Sequence, residues 1–374
     1  MLEKFEGSNE FLGGLIKEGL IESLFYREKL RAINYYDIVP LLNEEYKKRF
    51  KITSKIHVGG KGFGLDYALN SCLGEVIERV SLMKEIDIKR FEIKNGKLDQ
   101  FFSKKELKRF NLNKSLEVPM IKLKNYLDNS YLEVPLEIIF PNCSKKFLPK
   151  CSSSVGTSFE KTKEGAILNG LFEYIERHSL LKSWYSDKRI RLLRNSPIEI
   201  SKLLNLIKTN LEIKIDLYVI PCDFSCNVIC SKIDFKGGCV FGCSADLSLK
   251  NSCNKAIAES LQLLTSTKFL NKKPEGILEK YFLRLIKDPH LKFIESFSKD
   301  RGDFQLEDLI NSFKSKNKGI YSVNITPKEL AKYGFVFKLF IPSLLQFGSK
   351  ESIIFKTNSK LIRDQQDKKI NPFV

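Results

Sequence analysis

The sequence contains no apolar run of about 18 residues, the length that a membrane-spanning helix needs. Its first residues include acidic side chains and no apolar segment of the kind that a secretory signal carries, so no signal is predicted. Only 12 residues are proline and 43% are hydrophobic, a composition that excludes a disordered chain, a collagen and a disulfide-stapled miniprotein. With 374 residues, the chain has the length of one large α/β domain or two smaller ones.

The usual signs of a zinc site are also missing, because the nine cysteines form no Cys-x-x-Cys pair and only three histidines are present. Five of the cysteines recur at short intervals in segments that we predict to be strands, and small buried hydrophobic residues are the favoured interpretation. Unpaired cysteines fit a reducing compartment, so we predict a cytoplasmic protein. These five are Cys222, Cys226, Cys230, Cys239 and Cys243.

Arginine is scarce although the chain is strongly basic, with 63 Lys+Arg against 45 Asp+Glu and a net charge of +18. Fifty of the basic residues are lysine and 13 are arginine, whereas nucleic-acid readers rely on arginine for bidentate contacts. A lysine-rich surface without a specific ligand is one interpretation, and an electropositive surface for an anionic ligand is the other. A nucleic-acid-binding protein stays an alternative from another functional class, although the chain shows no motif of that kind.

Hydrophobic periodicity predicts a mixed α/β chain without a Pro-, Gly- or Ser-rich linker, so we expect one intertwined catalytic unit after an N-terminal helical segment, residues 1–50. A glycine turn, residues 59–64, is expected to lead into a helix capped by Asp66. The other expected helices cover residues 11–31 and 270–320 and begin near Thr162 and Leu249. The expected strands form a meander over 85–150, with 133–141 as its clearest strand, and a hairpin over 213–243. Residues 333–356 are also expected to form strand structure.

The most informative feature is an internal repeat. Residues 68–82 and 166–180 share the pattern polar-x-x-x-E-x-x-E-R-x-S-L, and residues 255–262 form a weaker third copy. On a helix, the polar positions of each copy fall on one stripe, and apolar residues fill most other directions. The polar residues are Ser71, Glu75, Glu78 and Arg79 in the first copy, Asn169, Glu173, Glu176 and Arg177 in the second, and Lys255, Glu259 and Gln262 in the third.

Paired carboxylates on a largely buried helix repel each other and lose hydration, so they need a cation to compensate them. Converging copies would supply several oxygen ligands, a set that suits Mg²⁺ bound together with phosphate. Arg79, Arg177 and Lys255 would then meet the phosphates. The alternative is a solvated helix face with ordinary ion pairs, which the matched repetition disfavours. The glycine turn around Lys61 has neither the Walker spacing nor the G-x-G-x-x-G pattern, which disfavours P-loop and kinase sites.

These motifs, in this order, resemble those of the YcaO family of ATP-dependent enzymes that modify peptide backbones. Gly60-Lys61-Gly62 and the first copy resemble the family's first nucleotide motif, and the small-residue loop 154–158 with the second copy resembles the next. The segment 242–249 and the third copy, with Glu259 and Gln262 three apart, resemble the last. The resemblance covers roughly residues 50–265 and implies a YcaO-like fold, mixed α+β, with the repeated helices packed on β-sheets in an ATP-binding catalytic domain over residues 51–374.

The resemblance also implies the cofactors, ATP and Mg²⁺, and the residues that bind them. The implied nucleotide-binding residues are Lys61, Ser71, Glu75, Glu78, Arg79, Asn169, Glu173, Glu176, Arg177, Lys255, Glu259 and Gln262. Of these, the metal ligands would be Glu75, Glu78, Glu173, Glu176, Glu259 and Gln262. Lys255 stands where many members have arginine, and it lacks the bidentate fork.

The end of the chain is similar to the proline-rich tail of azoline-forming members, with one proline where a fuller motif has more. The implied catalytic residues are Pro372 and Val374, with the terminal carboxylate or a nearby acid as the base. Proline lowers the entropy that docking costs, and Phe373 would hold the tail in the active site. We therefore expect that deleting residues 371–374 abolishes ring formation but leaves the fold and ATP binding intact.

The implied reaction converts Cys, Ser or Thr of a ribosomally made precursor peptide to thiazoline or oxazoline, as in bacteriocin biosynthesis. Similarity to microcin-B-type subunits implies a multi-subunit synthetase. Its other members would be a leader-peptide-binding protein like a ubiquitin-activating enzyme and a flavin-dependent dehydrogenase where azoles are the product. No room for the leader-binding domain is apparent before residue 50. The alternatives are thioamide or amidine formation by the same nucleotide site, and a scaffold without activity, which the retained acidic motifs disfavour.

Overall fold

The structure is a computed structural model that describes residues 3–5, 9–49, 58–84, 88–104, 107–108, 111–141, 148, 153–185, 190–235, 238–269, 293–297, 302–342 and 344. We label the helices α1 (Glu10–Lys17), α2 (Glu44–Arg49), α3 (Leu65–Met83), α4 (Leu136–Ile139), α5 (Lys163–Tyr185), α6 (Ile198–Leu211), α7 (Leu249–Phe269) and α8 (Leu306–Lys314). The strands are β1 (Glu3–Lys4), β2 (Ile21–Leu30), β3 (Tyr35–Leu42), β4 (Gly60–Phe63), β5 (Ile93–Lys97), β6 (Glu117–Asn125), β7 (Tyr131–Pro135), β8 (Thr157–Glu160), β9 (Ile190–Leu192), β10 (Lys214–Val219), β11 (Asn227–Phe235), β12 (Gly238–Asp246), β13 (Phe293–Phe297), β14 (Tyr321–Asn324) and β15 (Phe335–Phe340).

The chain forms two compact units, and the first contains two sheets. It consists of Met1–Lys47, Ile56–Val76 and Ile175–Ser312. One sheet is antiparallel with the order β1-β2-β3-β4, and the other has the order β12-β11-β10-β9-β13, in which β9 and β13 are parallel. Helix α7 packs on β11 and β12, and a core of aliphatic side chains, including Ile229 and Ile257, fills the space between helix and sheet.

The second unit contains one antiparallel sheet. It consists of Lys48–Lys55, Ile77–Tyr174 and Phe313–Val374. The strand order is β5-β6-β14-β15-β8, and β7 pairs with β6 in addition. Helices α3 and α5 each contribute residues to both units, because the division falls between Val76 and Ile77 in α3 and between Tyr174 and Ile175 in α5.

Each repeated motif lies on a helix that directly follows a strand. Strand β4 precedes α3, β8 precedes α5, and β12 precedes α7. These three strands belong to three different sheets. The three motif helices begin close to the predicted positions, and the mixed α/β architecture with motif helices packed on sheets is confirmed. Helix α3 begins at Leu65, so Asp66 lies in its first turn rather than at its cap.

The helix predicted over residues 11–31 is wrong beyond its first turns. Helix α1 ends at Lys17, and Gly19 has a positive φ of 70°, a conformation that favours glycine and stops the helix. The following residues form strand β2, whose partner is β3. Local apolar periodicity favoured a helix there, but pairing with a distant strand determines the structure. The expected domain boundary at residue 50 stays a prediction.

Four other segments differ from their predictions. The predicted glycine turn is strand β4, and the strand predicted over 133–141 ends at Pro135, where α4 begins. The helix predicted over 270–320 is interrupted by β13, and residues 270–292 lie outside the described part. The strand segment predicted over 333–356 contains the short strand β15. Residues 345–356, the second half of that prediction, also lie outside the described residues. The meander is confirmed, and the hairpin predicted over 213–243 consists of three antiparallel strands, β10, β11 and β12.

Glycine in β4 serves close packing rather than a turn. A Cβ atom on Gly60 would lie 2.1 Å from the backbone nitrogen of Cys72 and 2.2 Å from the carbonyl oxygen of Ala68, both in α3. Gly242 in β12 meets α7 in the same way, 2.2 Å from the oxygen of Ala256. The missing side chains therefore let each strand lie directly on the motif helix that follows it. None of the described helices is long and apolar enough to cross a membrane.

We predict that Gly60→Ala lowers the free energy of unfolding by at least about 2 kcal/mol, because the added methyl group meets backbone atoms that cannot move aside. Denaturant titration followed by circular dichroism measures the change. Gly13→Ala is the matched control, since a Cβ there has nothing within 4 Å and the residue lies inside a helix. The control should be neutral or slightly stabilising, and an equal loss in both variants would contradict the packing argument.

Candidate functional site

The repeated motifs present half-buried polar stripes on helices whose other faces are buried. In α3, the flanking residues Leu73, Val76 and Ile77 have no exposed surface, whereas Glu75 and Glu78 are half-buried. In α5, Glu173 is half-buried and Glu176 is buried. The alternative of a fully solvated helix face does not fit this burial. Ser71, at the start of the first stripe, is exposed.

The first glutamate of each E-x-x-E-R motif accepts a hydrogen bond from the glycine directly before the strand that leads into its helix. The N–H of Gly59 donates to Glu75 Oε2 at 3.2 Å, and the N–H of Gly156 donates to Glu173 Oε2 at 2.8 Å. The two copies therefore share a three-dimensional contact as well as a sequence pattern. Each bond occupies one carboxylate oxygen and directs the remaining one away from the loop.

The two amide side chains of the motifs are also held by carboxylates. Asn169 Nδ2 donates to Glu160 Oε1 at 2.9 Å, and Gln262 Nε2 donates to Asp37 Oδ1 at 3.4 Å. An ionised carboxylate only accepts hydrogen bonds, so the NH₂ group of each amide must face it. The amide oxygens consequently point away from these partners and can serve as ligands or acceptors.

Asp37, which the sequence analysis did not identify, is a buried organising residue of the first unit. Its side chain has no exposed surface and forms a bidentate ion pair with Arg27, at 2.7 Å to Nε and 2.9 Å to Nη2. Thr265 Oγ1 on α7 donates to Asp37 Oδ2 at 3.1 Å, beside the bond from Gln262. An aspartate in the apolar run of β3 is the sequence signal that could have revealed it.

The second glutamates lie next to the arginines of their own motifs. Arg177 Nη1 lies 3.1 Å from Glu176 Oε1, and Arg79 Nε lies 3.9 Å from Glu78 Oε1. These pairs are partly buried, so the charges are weakly screened. The arrangement agrees with the predicted need for compensating cations beside the acidic stripe.

Carboxylates of the motifs affect the pKa of buried thiols in the first unit. In the first unit, a hydrogen bond that the Cys243 thiol donates to Cys230 raises the pKa of Cys243, as does burial, and the carboxylates of Glu176 and Glu259 raise it further. Burial likewise raises the pKa of Cys72 to about 12, with Glu75 and Asp37 contributing. Glu176 and Glu259 belong to α5 and α7, so the charges of two motifs act on Cys243. Of the five cysteines, Cys222 is half-buried, the other four are buried, and all are free thiols, as predicted. Their predicted place on strands is confirmed for Cys230, Cys239 and Cys243 and is wrong for Cys222 and Cys226, which lie between β10 and β11.

Lys255 has a carboxylate partner that the sequence analysis did not identify. Its Nζ lies 2.7 Å from Asp246 Oδ2, at the end of the strand that leads into α7. Its predicted phosphate contact stays a prediction. Lys61 lies on β4, where it is paired in register with Asp37 of β3.

Lys338 on β15 is a buried lysine of the second unit that the sequence analysis did not identify. Its Nζ donates to the carbonyl oxygens of Ser153 and Val155. Burial lowers its pKa to about 8, while the carboxylates of Glu173 and Glu78 act in the opposite direction. These carboxylates belong to α5 and α3, so two motif helices meet around this ammonium. A single lysine in the apolar segment 335–341 was the available sequence signal.

The donor set of carboxylate and amide oxygens is of the hard type that Mg²⁺ prefers. Across the described residues, no three His, Cys, Asp or Glu side chains are grouped closely enough to hold an ion by themselves. Mg²⁺ in nucleotide sites is usually bound by one or two carboxylates, phosphate oxygens and water, so the residues present fit a nucleotide-bound ion. The six ligands predicted from the sequence stay a prediction. Pro372, Phe373 and Val374 lie outside the described residues.

Residues 59–345 match the family model described as "YcaO cyclodehydratase, ATP-ad Mg2+-binding". The chain belongs to the YcaO family. The predicted resemblance is confirmed, and ATP and Mg²⁺ are the cofactors. No protein with a curated description matches the chain by sequence.

Solved structures of this family share the fold of the chain. A heterocyclase in complex with substrate and cofactor aligns with a TM-score of 0.71 and 14% identity, over 100% of this chain and 57% of the other. The chain thus spans little more than half the length of that heterocyclase. YcaO from Methanopyrus kandleri, bound with AMPPCP and Mg²⁺, aligns with a TM-score of 0.64 and 16% identity, over 88% of this chain and 87% of the other. A chain of the E. coli microcin synthetase McbBCD complex aligns with a TM-score of 0.63 and 15% identity, over 86% of this chain and 88% of the other. The predicted YcaO-like fold is therefore confirmed.

We predict that Asp37→Asn lowers the free energy of unfolding by about 3 kcal/mol, because it leaves the Arg27 guanidinium without its buried counter-charge. Denaturant titration measures this loss. Glu3→Gln is the control, since Glu3 pairs with Lys29 at 2.8 Å on the surface and should change nothing measurable. Equal stability of wild type and Asp37→Asn would show that the ion pair does not stabilise the unit.

Proposed function

We propose that the protein is an ATP-dependent cyclodehydratase that converts Cys, Ser or Thr residues of a ribosomally made peptide to thiazoline or oxazoline. The observation that carries the proposal is the matched pair of E-x-x-E-R helices, each with its first glutamate bound to the preceding glycine loop. Membership of the YcaO family supports it, as does the fold shared with a heterocyclase bound to substrate and cofactor.

The proposed reaction balances as follows. The side-chain sulfur or oxygen of the peptide loses its proton to a base and forms a bond to the preceding amide carbon, while the C=O π bond breaks and the carbonyl oxygen becomes an oxyanion. This oxyanion takes the γ-phosphoryl group of ATP, and ADP leaves. Loss of the proton from the amide nitrogen and departure of phosphate then form the C=N bond of the ring. One azoline, one ADP and one phosphate result, and the peptide loses the elements of one water.

The role proposed for this chain is positioning and charge stabilisation, as in other phosphoryl transfers. Glu173 is proposed to bind through the oxygen that does not accept from Gly156, and Glu75 to act as the corresponding carboxylate of the first copy. Asn169 and Gln262 are proposed to bind through their amide oxygens, because their NH₂ groups face Glu160 and Asp37. Bound Mg²⁺ would neutralise the phosphate charge that develops during the transfer. Arg79 and Arg177, each close to a second glutamate, would offer donors to phosphate.

A precursor peptide and a separate leader-binding protein are the proposed partners. The support comes from the E. coli microcin synthetase complex with pro-MccB17 bound, whose chain shares this fold over 86% of the present one. The predicted flavin-dependent dehydrogenase belongs to this proposal where azoles are the product.

We predict that Glu75→Gln and Glu176→Gln each weaken Mg-ATP binding at least roughly tenfold, because each removes one carboxylate charge at the metal and phosphate end. Isothermal titration with the nucleotide, in the presence and absence of Mg²⁺, gives the dissociation constants. Glu164→Gln is the control, since Glu164 is exposed in the first turn of the same helix as Glu176. Equal binding by wild type and both site variants would remove the basis of the proposed nucleotide site.

Mass spectrometry distinguishes the proposed product from its alternatives. With the precursor peptide, its leader-binding partner, ATP and Mg²⁺, we expect the peptide to lose one water for each ring. If sulfide is added and the peptide mass stays unchanged, the enzyme is inactive towards this peptide. If an amide oxygen is replaced by sulfur, the product is a thioamide. An amidine product also loses one water, but fragmentation then places the new bond on an amine rather than on a Cys, Ser or Thr side chain.

A further inference from the structure

Lys338 is a charged residue in an otherwise apolar interior. It lies in the middle of β15, only 2% of its surface is exposed, and its strand neighbours Val336 and Leu339 are fully buried. An ammonium group in such a place is stable only when its donors are satisfied and an opposite charge is near. Both conditions are met in the second unit: the loop before β8 supplies the acceptors, and the carboxylates of Glu173 and Glu78 supply the opposite charge.

The hydrogen bonds of Lys338 are directed to one loop. Its Nζ donates to the carbonyl oxygen of Ser153 at 2.5 Å and to that of Val155 at 2.7 Å. This loop precedes β8 and α5, and it resembles the small-residue loop of the family motif. Bonds from a charged donor are stronger than those between neutral groups, so the loop is firmly attached to β15.

The carbonyl of Val155 and the N–H of Gly156 belong to the same peptide group. Lys338 binds the oxygen end of this group, and Glu173 Oε2 accepts from its nitrogen end at 2.8 Å. The cation and the carboxylate therefore stand at opposite ends of one peptide dipole, with favourable signs at both ends. Hydrogen bonds linked in this way polarise and strengthen one another in a low-dielectric interior.

Further contacts keep this peptide group from rotating. The N–H of Leu339 donates to the oxygen of Gly156 at 2.8 Å, and the hydroxyl of Tyr174 donates to the oxygen of Leu339 at 3.1 Å. Gly156 has a φ of +77°, and a Cβ there would lie 2.1 Å from the ring of Tyr174. Only glycine fits this conformation, so the direction of its N–H is fixed by the fold.

We propose that Lys338 is a positioning residue that acts through the Val155–Gly156 peptide to fix the Glu173 carboxylate for the Mg-ATP site. The inference rests on the proposed function and adds to it a residue outside the E-x-x-E-R motifs. Lys338 holds the peptide, the peptide holds Glu173 Oε2, and the other oxygen of Glu173 is thereby directed for binding. Because burial brings the pKa of Lys338 only to about 8, the ammonium form predominates at pH 7.

The test is a double-mutant cycle at pH 7 with Lys338→Met and Glu173→Gln. Isothermal titration measures the affinity for a non-hydrolysable ATP analogue over a series of Mg²⁺ concentrations. Lys338→Met keeps the length of the side chain but removes all donors, so we expect at least roughly tenfold weaker Mg²⁺-dependent binding. In the Glu173→Gln background the same change should have less than a roughly threefold effect, because the group that Lys338 positions is already altered.

Two further variants complete the design. Lys338→Arg restores donors and charge and should recover most of the lost affinity, whereas Lys124→Met removes an exposed lysine of β6 and should have no effect. A purely structural role would lower the melting temperature but give additive effects with Glu173→Gln. If Lys338→Met does not fold, the same cycle is run with Lys338→Arg. Its smaller loss of Mg²⁺-dependent affinity must then disappear in the Glu173→Gln background.

Three outcomes would overturn the inference: additive effects in the cycle, unchanged affinity in Lys338→Met, or tighter Mg²⁺ binding in that variant. The last would mean that the ammonium merely competes with the ion for Glu78 and Glu173. Absence of Mg²⁺-dependent nucleotide binding by the wild type would instead refute the proposed function, so the two failures are distinguishable.

Discussion

Buried carboxylates must be met by positive charge or by hydrogen-bond donors, and this constraint governs the arrangement around the three motif helices. Each acidic stripe stands on a helix whose remaining faces are packed, so water supplies only part of its solvation. The protein supplies the rest from backbone N–H groups of Gly59 and Gly156 and from the arginines of the motifs. The compensated carboxylates keep their negative charge, which is the condition for binding a divalent ion together with phosphate.

Close approach of backbone segments is the second requirement, because a backbone N–H reaches a carboxylate only when strand and helix lie side by side. Gly60 and Gly242 allow their strands to lie directly on α3 and α7, where any side chain would meet helix backbone. In the second copy the glycine that allows close packing is Gly170, which lies on helix α5. A Cβ on Gly170 would lie 3.0 Å from the oxygen of Gly156. The glycines of the motifs therefore act through packing, and this explains why they lack the spacing of phosphate-binding loops.

The sequence was sufficient to predict the motif helices, because their pattern is local and repeated. It was also sufficient for the unpaired, largely buried thiols, but the even spacing of Cys222 and Cys226 was misleading, because both lie between β10 and β11 rather than on a strand. It failed for residues 18–31, where strand pairing over a distance outweighs a local helical pattern. It could not identify Asp37, Glu160 or Lys338 as partners of the motifs, because these contacts join residues that tertiary folding alone brings together. A charged residue inside an apolar strand was the one signal present for Asp37 and Lys338.

The two E-x-x-E-R copies, although matched in sequence, are supported by different cations. In the second copy, Lys338 binds the peptide group that donates to Glu173, and the bond from that peptide is 2.8 Å long. In the first, the bond from Gly59 to Glu75 is 3.2 Å long, and the nearby cation is Arg27, which is engaged by Asp37. A carboxylate whose donor is polarised by a cation is held more firmly than one whose donor is not. The shorter bond in the second copy agrees with this polarisation, so the matched sequence pattern of the two copies is realised by different surroundings of the first glutamate.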